Sequence, residues 1–302
     1  MENARDQSDR SELCVCVAGM TMRLCVASLL ALTSAFRAPV ASPLRPGARG
    51  GKRTSAAFRA RVALPAAPQE SFLEEGVRGP GRVLGIGLLW SGLIAYIALL
   101  APGKSEAAQA LDSELLAKLI ANPFDESCPA FFTVLFNWMG VWPAVYASLV
   151  LPGADDQRPV PALPFLAASV AFGMFALSPY LALREYRGEV RRAPTSLGGK
   201  WFESKANALL LLAGAAGLAI WGAASGDATA NARDFADLFE TQLFVHATTL
   251  DFCALSLLSV GLVREDVQRR GCDAAYGLLA VLPLFGPLVW LVLRPELETE
   301  AN

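Results

Sequence analysis

Residues 243–263 read LFVHATTLDFCALSLLSVGLV, an apolar run that carries His246, the only histidine of the chain, together with Asp251. At about 1.5 Å per residue the run makes a helix of about 31 Å, enough to cross the ~30 Å hydrocarbon core of a bilayer. A carboxylate at the centre of such a helix costs about 2.5 to 3.5 kcal/mol on insertion scales. It is therefore expected to face the interior of a bundle, where a partner or a function compensates it.

The rest of the composition agrees with that reading. Of 302 residues, 54% are hydrophobic and 18% charged, and the mean hydropathy is +0.39, the balance of a membrane protein. A net charge of −2 gives no overall attraction to nucleic acid, and no basic face interleaved with aromatics is evident, so nucleic acid is not an expected partner.

The first 70 residues read as targeting. Met22, a candidate start, and Arg23 precede the short apolar run 24–35, LCVASLLALTSA, which ends in small residues and is too short to span. Residues 1–35 thus form an extension and signal peptide. Residues 36–70 read as a transit peptide, with seven Arg or Lys before the single acid Glu70. The junction Ser34-Ala35-Phe36-Arg37-Ala38-Pro39 resembles the cleavage motif of bipartite presequences directed to complex plastids, so a plastid membrane is the expected location.

Beyond the joint, 83–295 is expected to be an all-α transmembrane bundle of six helices, 83–101, 129–151, 163–183, 206–225, 243–263 and 274–293, followed by an acidic tail, 296–302. Between the first two lies 105–121, whose leucines recur at spacings of three and four, as in a helix lying along the membrane. Pro179 frees a carbonyl that a neighbour must satisfy. Ala215, Ala219 and Ala223 make a small-residue face for close packing. No internal repeat is evident. Basic residues in loops 102–128, 184–205 and 264–273 outnumber those on the other side eleven to five, which places these loops in the stroma and both ends across the membrane.

The residue types exclude much chemistry. One histidine rules out histidine-rich di-iron sites and bis-histidine haem. Cys128, Cys253 and Cys272 have neither zinc nor disulfide spacing. Asp155-Asp156 and the run Asn231, Asp234, Asp237 lack the paired spacing of a metal-diphosphate site. No metal or cofactor is assigned. His246 and Asp251 remain as candidate catalytic residues, about 7.5 Å apart along the axis and ~140° around it. In that reading the imidazole acts as acid, base or chlorin ligand and the carboxyl as proton donor. Asn137, Tyr146 and Thr249 are the expected ligand-facing companions. The alternative is that His246 and Asp251 bond to Asn137, Tyr146 or loop backbone and lock the bundle.

The blocks FNWMGVWP (136–143), SPYLALRE (178–185), FVH to DF (244–252) and LFGP to LRP (284–295) resemble an uncharacterised family of cyanobacterial and plastid membrane proteins. More distantly, the His-to-Asp spacing and the later Phe-Gly-Pro are similar to membrane proteins required for neoxanthin formation in plant plastids. The first resemblance implies a polytopic plastid membrane protein, and the small-residue face, aromatic-rich spans and short loops suit one that assembles or stabilises photosynthetic membrane complexes. The second implies one that binds or isomerises a xanthophyll or other isoprenoid pigment at His246 and Asp251.

Overall fold

A computed structural model describes residues 80–154, 160–186, 188, 193–194 and 197–297. The expected targeting segments, the Asp155-Asp156 pair and most of the acidic tail lie outside the described residues. Those described are helical, with no strand among them: α1 (Pro80–Leu99), α2 (Glu106–Ala121), α3 (Ala130–Val150), α4 (Ala162–Leu183), α5 (Leu197–Glu203), α6 (Lys205–Ala224), α7 (Ala228–Thr241), α8 (Leu243–Arg269) and α9 (Phe285–Leu293). Five of them, α1, α3, α4, α6 and α8, are long and apolar enough to cross a membrane. The protein is thus an all-helical, multi-pass membrane protein by length and composition.

Two polar ends bracket the bundle. At one end, Tyr96 of α1 meets His246 of α8, Asp112 of α2 meets the start of α8, and Phe124 packs on Trp221 of α6. At the other, Arg184 bonds Glu265, Arg269 and Arg294 reach the carbonyls of Leu149 and Ser148, and Arg270 bonds Glu203. The helices α1, α3, α6 and α8 run between these two ends, which we call the His246 end and the Arg184 end. The core between them is aromatic: Trp138 stacks on Phe252 at 6.0 Å and meets Phe285 at 5.4 Å, and its indole N–H donates to the Ala215 carbonyl at 3.1 Å.

Two expected spans differ from a straight helix. Within α4, Gly173 has φ 48° and ψ −129°, a conformation open to glycine and hostile to residues with a Cβ. Phe165 and Tyr180, fifteen positions apart, stack at 5.6 Å, whereas on a continuous helix they would be about 22 Å apart. The segment therefore turns back on itself, two limbs of about ten residues meeting at Gly173. The expected sixth span, 274–293, is likewise two pieces, a tight 3-10 segment Ala274–Val281 and the short α9. Pro283 and Pro287 cannot donate backbone bonds, and Leu284 between them adopts φ 57°. Here too an aromatic pair closes the two limbs, Tyr276 and Trp290 at 5.6 Å. A Cβ on Gly286 would strike the Leu279 carbonyl, so glycine permits the limbs to touch.

The short helix expected at 105–121 forms as α2 (Glu106–Ala121). Ser105 caps α2 through the Ala108 N–H at 3.2 Å, and Asp227 caps α7 through the Ala230 N–H at 2.8 Å. Both lie at the His246 end.

Candidate functional site

The start of α8 is fixed from outside. It has no side-chain cap of its own, and the Phe244 N–H donates at 3.0 Å to Asp112 of α2. With its amide oriented to satisfy both groups, Gln242 donates to the other Asp112 oxygen at 2.9 Å and to the Ala108 carbonyl at 3.1 Å. Burial raises the Asp112 carboxyl above its ordinary value, and the N–H groups of Phe244 and Leu243 partly offset that.

One turn inward, His246 is buried. Its Nδ1 lies 2.9 Å from the Phe239 carbonyl and its Nε2 3.0 Å from the Tyr96 hydroxyl. A carbonyl can only accept, so Nδ1 carries the proton and Nε2 accepts from tyrosine. The ring is sandwiched further by Phe239 at 4.2 Å and Tyr96 at 5.7 Å. Both nitrogens of this imidazole hold α1 and α7 to α8.

Asp251 faces a different neighbour. Its Oδ1 accepts the Met174 N–H at 2.8 Å, the first amide after the Gly173 reversal and otherwise an orphan at the start of the returning limb. A methyl group on Gly173 would fall on the carboxylate itself. A second opened backbone group of this limb is also satisfied from a neighbour. Pro179 leaves the Phe175 carbonyl without its helical donor, and the Trp90 indole of α1 donates to it at 3.1 Å.

The companions spend their hydrogen bonds elsewhere. Asn137 donates to the Pro123 and Thr133 carbonyls, both at 2.8 Å, tying α3 to the loop before it. The Tyr146 hydroxyl donates to the Leu255 carbonyl at 2.6 Å, joining α3 to α8. Thr249 bonds back to the Val245 carbonyl at 2.7 Å within its own helix. Asn137, Tyr146, Thr249, His246 and Asp251 are thus five separate ties.

The densest polar cluster is one that sequence reasoning passed over as a charged turn. At the Arg184 end, REDVQRR (264–270) presents Glu265, Asp266, Arg269 and Arg270 at spacings of three to five residues. Arg184 makes a two-pronged pair with Glu265, one bond being 2.9 Å. Arg269 bonds Asp266 at 2.8 Å and Glu265 at 3.2 Å. Arg270 joins Asp266 at 2.9 Å and Glu203 at 2.6 Å. Arg294 reaches Glu203 at 3.0 Å and Asp266 at 3.3 Å, and the Trp290 indole donates to Asp266 at 2.9 Å. Burial alone would lower the Arg184 guanidinium, but Glu265 outweighs it and raises the group above its ordinary value. Burial wins at Arg294, which is lowered. The signal was in the sequence: acids followed by bases three to five positions on, at the end of an apolar helix.

Among the described residues no cluster of His, Cys, Asp and Glu could hold a metal ion, and Cys128 and Cys272 are free thiols. Comparison with known protein families, with curated proteins and with solved structures finds no match in any of the three.

Proposed function

We propose that this chain is a multi-pass protein of a plastid membrane that supports the assembly or stability of photosynthetic membrane complexes. The observation that carries the reading is the use made of His246 and Asp251: both of these buried groups of α8 bond neighbouring helices, and together they fasten α1, α4 and α7 to it. Such an arrangement suits a scaffold. Outward faces support it too, since Val83, Leu84, Leu88 and Ile94 of α1 and Leu209, Leu210 and Ile220 of α6 are exposed apolar groups open to lipid or to neighbouring membrane proteins. The address-like first 70 residues supply the plastid part of the proposal.

The test is removal and complementation. Loss of the protein is expected to lower the accumulation of photosynthetic complexes, and Asp251→Asn, which keeps an oxygen for the Met174 amide, is expected to restore it. A xanthophyll or other isoprenoid that co-purifies in fixed ratio, and is lost from both His246→Ala and Asp251→Asn while the protein stays folded, would overturn the scaffold reading in favour of pigment handling.

A further inference from the structure

We infer that the chain is a tandem of two like-oriented units, each contributing two membrane crossings and one re-entrant hairpin, so that both ends of the described chain lie on the same, basic face of the membrane. The order of elements repeats. The first unit is α1, α2, α3 and the folded α4; the second is α6, α7, α8 and the folded segment formed by Ala274–Val281 and α9. Each opens with a 20-residue apolar helix. Each continues with a short helix at the His246 end and a second long helix leading back.

The hairpins correspond in detail. Their returning limbs each contain a small residue followed by proline, Ser178-Pro179 and Gly286-Pro287, and both close on Leu-x-Leu-Arg, 181–184 and 291–294. Four residues before each arginine stands an aromatic that meets the incoming limb, Tyr180 stacked on Phe165 and Trp290 tilted against Tyr276, both pairs at 5.6 Å. The two arginines pair with adjacent carboxylates of α8, Arg184 with Glu265 and Arg294 with Asp266. The two tips reach the same level of the bundle. Gly173 lies against Asp251 of α8, and Phe285 meets Trp138 of α3, which in turn stacks on Phe252, the next residue of α8. Each segment thus leaves the Arg184 end, reaches the middle of the bundle and returns.

This assignment changes the charge count by side. Of the described basic residues, Arg82, Arg184, Lys200, Lys205, Arg264, Arg269, Arg270 and Arg294 belong to the Arg184 end, and Lys104, Lys118 and Arg233 to the His246 end. The ratio of eight to three sets the Arg184 end on the side from which the protein is inserted. The loop 102–128, grouped with that side in the six-span reading, belongs opposite. In a plastid the described residues then begin and end on the stromal side.

Impermeant maleimide labelling of the full chain in sealed vesicles tests this, using single cysteines in a background with all six native cysteines replaced by alanine. Pro161→Cys, Glu185→Cys, Asp273→Cys and Glu296→Cys are expected to label from one side, and Lys104→Cys and Asp234→Cys from the other. Opposite labelling of Pro161→Cys and Glu185→Cys, or of Asp273→Cys and Glu296→Cys, means that the segment between crosses, and overturns the inference. Epitopes after Asn302 and after Gly226, in the native-cysteine chain, give a second reading: opposite sides support it, the same side refutes it. Neither measurement depends on what the protein does in its membrane.

Discussion

The Asp251 carboxylate holds the Met174 amide at 2.8 Å, a helix cap supplied by a residue of another helix. It answers the question that an acid in an apolar helix raises. The returning limb of α4 begins in the middle of the bundle, where no water can satisfy its first N–H groups, and an acceptor there also meets the positive end of the limb's dipole.

Replacing Asp251 should therefore separate capping from charge. Asp251→Ala is expected to destabilise the protein by about 1–3 kcal/mol, the cost of a buried amide left unpaired, whereas Asp251→Asn keeps an acceptor and loses less. Thermal unfolding of the purified protein in detergent compares the two. Equal losses would argue that the charge, not the acceptor, matters.

Gly173→Ala is expected to be worse than either. The new methyl group collides with the carboxylate and also forces a residue with a Cβ into a positive-φ conformation, which costs roughly 1–2 kcal/mol by itself. A fall in melting temperature and faster proteolysis between 154 and 186 would register it, while Gly85→Ala in α1, where a Cβ meets open space, serves as the control.

Tyr96→Phe removes the donor to His246 Nε2 and leaves the ring and its stacking in place. The expected loss is about 1 kcal/mol. Because the Phe239 carbonyl still fixes Nδ1, α7 should remain docked, and amide exchange over 228–241 should change less than over the end of α1.

At the Arg184 end, Glu265→Gln takes the carboxylate from the buried Arg184, whereas Arg269 keeps Asp266. Removing one partner of a buried pair costs about 3–5 kcal/mol. A double-mutant cycle with Arg184→Gln should show coupling, the double variant losing much less than the two single losses added together. Additive losses would mean that the pair contributes nothing as a pair.

Asp112 makes a pH prediction. Its carboxyl is raised by burial in the folded state, so the folded protein binds that proton more tightly than the unfolded chain. The stability it contributes is complete below the free carboxyl value of about 3.9 and is given up as pH rises through the higher folded value. Relative to Asp112→Asn, the wild type should lose stability on going upward from about pH 4, measured by chemical unfolding across the acid range.

Much of the bundle was legible. The boundaries of α3, α6 and the start of α8 fall within a residue or two of the apolar runs, because length and hydrophobicity decide them. The orphaned carbonyl at Pro179 was also readable, though not its donor Trp90, which is 85 residues away in sequence. The two reversals were not readable. Residues 162–183 are apolar throughout, and hydropathy cannot tell a rod from a rod folded in half. Only the contact of Gly173 with Asp251 decides it, and that contact depends on packing. The ion cluster escaped for a related reason: REDVQRR has the composition of a solvated turn, and its burial comes from Arg184, Arg294 and Trp290, contributed by other elements. The repeat was hidden because its units share architecture and a closing Leu-x-Leu-Arg but little other sequence.

The folded form of α4 also imposes an order on biosynthesis. Met174 lies 77 residues before Asp251, so a chain that ends between them holds the 22-residue apolar segment without the acceptor that caps it. That segment is long enough to pass straight through a bilayer, and its bent form depends on α8. Truncated chains ending before residue 251 are thus the place to catch this protein with a different topology from the one it keeps.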